Sequence, residues 1–182
     1  MRVPRDSELV QAVLEGNSEA FDELAERYGG KLYNAALRVT GNPEDALDAT
    51  QNALLKAYDN LASFDPSYRF FSWIYRIQMN EALNLVHKRR RYVGLPSEMP
   101  APKQATPERE YLDRETGSAI ETALLELTPD YRAVVVLRHF HGFSYEEMAE
   151  ILSVPVKTVK SRLFTARREL RQKLSDRGFA GA

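Results

Sequence analysis

The chain contains no cysteine. That single absence excludes disulfides, thiolate metal sites and cysteine nucleophiles, and it suits a reducing compartment. No run approaches the roughly 18 apolar residues that a membrane span needs. The opening, Met1-Arg2-Val3-Pro4-Arg5-Asp6-Ser7-Glu8, turns acidic where a secretory leader needs an apolar stretch. A soluble, cytoplasmic protein is the expectation. Alternating strand patterns, glycine-rich phosphate loops and nucleophile elbows are also missing. The only close histidine pair is His139 and His141, and side chains two residues apart on a helix point to different faces. An enzymatic reading therefore finds no residues to carry it, and no cofactor or metal is expected.

What the chain does have is helical periodicity and segregated charge. It has 182 residues, 43% of them apolar, enough for real hydrophobic cores. The net charge of −1 hides four blocks. Residues 1–60 hold 6 basic and 11 acidic groups; residues 61–91 hold 6 and 2. Residues 92–155 hold 5 and 11, and residues 156–182 hold 8 and 2. Two basic segments separated by acidic ones suggest two surfaces that face polyanions, although solvated helix faces give the same pattern.

The hydrophobic period predicts a short helix over about 6–15 and a second to about Thr40 that Asn17 or Ser18 can cap. In that second helix Gly29-Gly30 weakens the middle. Asn42-Pro43 opens a third helix to about Leu61. Residues 63–68 read as a loop, and a fourth helix runs from about Arg69 to Arg91. Residues 92–113 hold four of the nine prolines and no sustained period, the composition of a flexible linker. One helix is then expected over 114–127, and Thr128-Pro129 restarts another to about His141, closed by Gly142. Ser144 and Glu147 have capping-box spacing for a helix to about Leu152, and the last helix runs over about 156–175. The expected fold is all-α: two small helical domains, 1–91 and 114–182, on a Pro-rich tether.

Two helices joined by a short turn, the second one basic, outline a helix-turn-helix. Val159, Leu163, Ala166, Leu170 and Leu174 form its inner stripe, to pack on Tyr145, Met148, Ala149 and Leu152. That leaves Lys157, Thr158, Lys160, Ser161, Arg162, Phe164, Thr165 and Arg168 for bases and phosphates. The segments Phe143–Leu152 and Val156–Arg167 closely resemble region 4 of bacterial extracytoplasmic-function sigma factors, group IV of the sigma-70 family. The resemblance implies that this block reads the promoter element about 35 bases upstream of the start and docks on the β flap of RNA polymerase. Thr165 stands where relatives often carry arginine.

The third helix buries Ala46, Ala49, Ala53, Leu54, Ala57 and Tyr58 and presents Asp48, Gln51, Asn52 and Lys56 as a polar ridge. On the fourth, aromatics crowd the first half while Ser72, Arg76, Asn80, Asn84 and Lys88 recur every four residues. Lys88, Arg89, Arg90 and Arg91 then end the domain in a basic cluster. Polar and aromatic groups interleaved in this way suit unpaired bases. Asp45 to Arg91 resembles region 2 of the same family. By that resemblance Asp48, Gln51, Asn52 and Lys56 meet the β′ clamp helices. Phe64, Asp65, Ser67, Tyr68 and Arg69 form a base-capture loop at the element about 10 bases upstream, and Arg76, Asn80, Asn84 and Lys88 to Arg91 follow the strand. Asn52 departs from a common glutamate.

The family further implies promoter-specific initiation with core polymerase in a stress or envelope response, an anti-sigma partner, and a monomer when free. The main rival is a standalone helix-turn-helix regulator, which would need a dimer helix for a palindromic operator; none is visible. A sigma mimic in phosphorylation-controlled signalling would need a βα receiver pattern, which is also missing.

Overall fold

The computed structural model describes residues 4–93 and 109–179, and among these every regular element is helical. The helices are α1 (Asp6–Leu14), α2 (Glu19–Thr40), α3 (Pro43–Asp59), α4 (Phe70–Val93), α5 (Arg109–Leu125), α6 (Pro129–Val135), α7 (Tyr145–Leu152) and α8 (Val156–Asp176). A 3₁₀ turn at Leu61–Ser63 precedes α4, and a π-helical turn at Val136–Phe140 extends α6.

Local chemistry explains three of the helix starts. Asn42 Oδ1 accepts hydrogen bonds from the amides of Glu44 and Asp45 at 2.8 and 3.0 Å, with Pro43 in the first turn. These satisfy two of the four amide donors that a helix start leaves open. Thr128 Oγ1 accepts from the Tyr131 amide in the same way ahead of Pro129. Ser144 and Glu147 form the expected reciprocal box at 3.1 and 2.8 Å. Gly142 takes a left-handed φ of 72°, which ends the π turn. Asn42→Ala should cost about 1 kcal/mol, read as a lower urea midpoint with an unchanged m-value.

Three expectations need correction. Ser18 lies in helical conformation and makes no side-chain cap bond, so α2 begins without one. Helix α5 starts at Arg109, inside the stretch expected to be linker, and α4 runs on to Val93; the proline-rich 94–108 lies outside the described residues. Tyr58, expected in the core, is 45% exposed and only edges against Phe21. Gly29-Gly30 leaves α2 unbroken, and nothing lies within 4 Å of a Cβ at either glycine.

The N-terminal unit packs α1, α3 and α4 around α2, whose Leu24, Leu32, Ala35, Ala36 and Val39 are fully buried. In the C-terminal unit α8 lies across α6, α7 and α5, burying Val159, Leu163 and Ala166 against a core that includes Met148 and Ile151. The two units are not separate bodies. Their buried side chains form one continuous cluster through α4, α7 and the turn after α6.

The joint between them is aromatic. Phe71 stacks on Phe143 with centroids 5.0 Å apart, and Tyr75 packs on both Phe143 and His141. Tyr75 Oη lies 3.0 Å from His141 Nδ1. Arg132, almost wholly buried, donates to Val39 O of α2 at 2.5 Å and to the carbonyls of Leu124, Leu125 and Leu127. Burial first, and then the charge of Arg90, pulls its pKa down to about 10, so it stays a cation at neutral pH.

Burial, followed by the neighbouring cations Arg38 and Lys31 of α2, lowers the His141 pKa to about 4. The docked ring is therefore neutral at pH 7 and refuses a proton that the free ring accepts near 6.5. Stability from this group is complete above pH 6.5 and is lost as pH falls toward 4, because the undocked form binds more protons there. Thermal unfolding should soften across that window by at most about 3 kcal/mol, and His141→Gln should flatten the change relative to the unsubstituted chain.

Candidate nucleic-acid interface

Three surfaces carry the residues that the sequence singled out. On α3 the tight alanine face (Ala46, Ala49, Ala53 and Ala57, all fully buried) turns Asp48, Gln51, Asn52 and Lys56 to solvent. Lys56 Nζ is held 2.7 Å from Glu81 of α4. Sequence reading missed two neighbours: Leu47 and Leu55 are 50% and 63% exposed on either side of Gln51. Their signal was available, since both fall outside the alanine stripe yet are fully apolar. The two exposed leucines flank the polar ridge and add apolar area to it.

The second surface is the loop before α4 with the outer face of that helix. Asp65 Oδ1 accepts from the Ser67 amide at 2.9 Å and Asp65 O from the Tyr68 amide at 3.1 Å, which fixes the loop as a turn. Those bonds to Ser67 hold the Asp65 carboxyl below its ordinary pKa. Asp65, Ser67, Tyr68 and Arg69 are exposed. Phe64, expected in the base-capture loop, is 9% exposed and packs on Phe70 and Trp73 at 5.6 and 5.3 Å. It serves as a wall. A cavity of about 640 Å³ opens beside it, lined by Phe64, Asp65, Tyr68, Ser72, Trp73 and Arg76, and on the far side by Glu150, Ile151 and Ser153.

From that cavity Arg76, Asn80, Asn84 and Lys88 run down α4 as an exposed stripe. Arg89, Arg90 and Arg91 are also exposed, Arg89 paired with Asp45 at 2.8 Å. Trp73 and Ile77 are half-buried and Ile74 is fully buried, so the aromatics back the polar stripe as expected. An aromatic-walled cavity leading onto amides and cations can stack a base and hold its phosphates.

The third surface is α8. Lys157, Lys160, Ser161 and Arg168 are exposed, Thr158 and Thr165 half-buried, and Phe164 is 70% exposed. Arg162 is the exception: it is half-buried and pairs with Asp130 of α6 at 3.1 Å. The exposed side otherwise matches the recognition helix of a helix-turn-helix, with a three-residue turn in which Ser153 takes a left-handed φ of 53°.

An all-helical chain with a helix-turn-helix outline, an aromatic-walled cavity and an exposed polar ridge has the build of a DNA-binding protein. Comparison with known proteins agrees. Residues 24–92 match the family model for Sigma-70 region 2, and residues 118–170 that for Sigma-70 region 4. The chain is 32% identical over 178 residues to the ECF RNA polymerase sigma factor SigW of Bacillus subtilis, covering 92% of this chain and 95% of that one. It is 34% identical over 180 residues to the ECF RNA polymerase sigma-E factor of Escherichia coli, covering 93% and 94%.

Among solved structures it resembles the sigma factor RpoE in complex with the anti-sigma factor NepR from Bartonella quintana. That match has a TM-score of 0.71 at 28% identity, over 85% of this chain and 96% of that one. CnrH in complex with the cytosolic domain of CnrY gives a TM-score of 0.69 at 27% identity, over 94% and 97%. The chain belongs to the ECF sigma factors of the sigma-70 family. It is a sigma factor that directs transcription initiation with RNA polymerase on promoter DNA.

Proposed function

We propose that the work of initiation is divided by domain. Residues 1–91 dock core polymerase on the β′ clamp helices through the α3 ridge, and they read and open the −10 element with the loop at 64–69 and the stripe down α4. Residues 114–182 read the −35 element as duplex through α8 and meet the β flap. Residues 92–113 join the two. The chain acts in the cytoplasm, in a stress or envelope response, as a transcription factor and not an enzyme.

The observation that carries this reading is the continuity of the second surface. One helix joins the aromatic-walled cavity to an exposed line of Arg76, Asn80, Asn84 and Lys88. A duplex reader has no use for such a cavity, because bases in a duplex are stacked on one another; a strand opener does. The standalone-regulator reading gains nothing from it.

Control by an anti-sigma protein is proposed on the likeness to RpoE and CnrH, which were solved bound to NepR and to the cytosolic domain of CnrY. Its target on this chain would be the ridge around Gln51 and the exposed side of 143–168. Run-off transcription with core polymerase on a promoter library tests the whole reading. Transcripts should depend on the chain and share two upstream elements. Sequence-specific duplex binding by the chain alone, with no effect on polymerase, would support the regulator instead.

A further inference from the structure

The loop at 64–69 is a partition between two cavities. The larger one faces α4 and α7; a second, of about 430 Å³, opens against α1 and α2, and the two share Phe64 and Tyr68 as walls. Every residue lining the second cavity lies between Arg5 and Phe71, so the N-terminal unit builds it alone. Tyr68, 57% exposed, forms the crest between them.

The second cavity is cationic over an aromatic floor. Lys31 Nζ lies 5.9 Å from the centre of the Tyr28 ring and 6.0 Å from that of Phe71. The Arg69 guanidinium lies 6.0 Å from the same Phe71 ring. Two cations thus share one ring, which attracts both without neutralising either. Among the described residues Lys31 enters no salt bridge. Arg69 meets Glu147 at 3.4 Å, but its side chain is 73% exposed and the pair is correspondingly weak. Asp6, the carboxylate that lines the cavity, is taken up by Arg27 at 2.6 Å and by the Tyr28 hydroxyl. Arg5, a third lining cation, pairs with Glu8 at 3.0 Å.

We propose that this cavity is a second strand site: between Lys31 and Arg69 it takes the backbone phosphate of the nucleotide that follows the captured base. This rests on the reading of the loop as a capture site for an unpaired strand. The stripe from Arg76 to Lys88 leaves the first cavity along α4, toward the duplex that carries the −35 element. A strand held there continues past the captured base on the other side, over Tyr68, and that path enters the second cavity. The ligand is a phosphate and not a base. Tyr28 and Phe70 offer little open ring for stacking, at 6% and 3% exposure, and a point charge such as Lys31 meets a phosphate on any sequence.

The test uses the holoenzyme, core polymerase with the full chain, on forked promoter oligonucleotides read by fluorescence anisotropy. In one fork the unpaired strand stops at the captured base; in the other it runs a few nucleotides further toward the start site. Lys31 is exposed, so Lys31→Ala should fold normally and bind the short fork like the parent. On the long fork it should lose about tenfold in affinity, whatever base follows the captured one. The slope of log affinity against log salt should fall by about 0.7, the value of one phosphate on a single strand. Lys31→Arg should restore both. A neutral methylphosphonate at the first linkage after the captured base should reproduce the loss, and Lys31→Ala should then add nothing further.

Equal loss on short and long forks, or no loss on either, would overturn the site. So would a loss that the neutral linkage fails to reproduce, since a free anion and not the strand would then be meeting Lys31. A loss confined to one base would make the cavity a base reader and overturn the phosphate assignment. Failure of the unsubstituted holoenzyme to prefer either fork over full duplex would count against the capture reading itself, and the second site would fall with it.

Discussion

Replacing Leu47 and Leu55 together by aspartate should abolish stable assembly with core polymerase while leaving the chain folded. Both side chains are at least half exposed on α3, on either side of Gln51, so neither contributes much to the core. At an interface the position reverses: an apolar side chain packed between polar neighbours becomes an anchor. Losing each anchor costs about 2 kcal/mol or more, and a buried carboxylate adds a desolvation penalty. The double variant should therefore bind core polymerase at least about a thousandfold more weakly at about 4 kcal/mol of loss. Its thermal midpoint should stay close to that of the parent. Unaltered binding, measured by fluorescence anisotropy, would move the docking surface away from α3.

The second large effect separates the two DNA-reading surfaces. Asn80→Ala, or alteration of the Asp65–Tyr68 turn, should slow promoter opening about tenfold while polymerase is recruited almost normally, on a lost hydrogen bond worth about 1–1.5 kcal/mol. Arg162→Ala should act on recruitment instead, weakening it by about 1–3 kcal/mol if the guanidinium reads a base. In the free chain Arg162 is paired with Asp130, so reaching DNA requires it to exchange one anion for another. If it only meets a phosphate, binding should weaken on every sequence and the salt slope should fall by about 0.9. A pre-melted bubble template should rescue Asn80→Ala and leave Arg162→Ala impaired. Equal rescue of both, or of neither, would sink this division.

Much of the architecture is legible from local chemistry because local chemistry decides it. Asn42-Pro43, Thr128-Pro129 and Ser144 with Glu147 each satisfy open amides within three residues, and each marks a true helix start. The alanine stripe of α3 and the Val159–Leu163–Ala166 stripe of α8 follow from the helical repeat alone. The pair His139 and His141 does diverge as expected: His139 Nε2 accepts from Arg167 of α8, while His141 meets Tyr75 of α4.

What stays hidden is where a stripe goes when two partners compete for it. Phe71 and Tyr75 belong to the aromatic first half of α4, and they pack into a joint with residues 66 to 72 positions further along the chain. No period in the sequence encodes that pairing. Ser18 shows the converse limit: a residue type suited to capping made no cap, because its backbone had already entered the helical region. The exposed Leu47 and Leu55 are a different case, legible because both are apolar yet lie off the alanine stripe.

A duplex reader and a strand opener on one chain should work together only on polymerase. Footprinting tests it most directly, with hydroxyl radicals for backbone protection and permanganate for unpaired thymines, using core polymerase and a promoter found by run-off selection. With the chain present, protection should extend over duplex about 35 bases upstream, and thymines near −10 should become reactive; Asn80→Ala should keep the first signal and delay the second. Reactive thymines near −10 with core polymerase alone, or protection of both elements by the chain without polymerase, would contradict it.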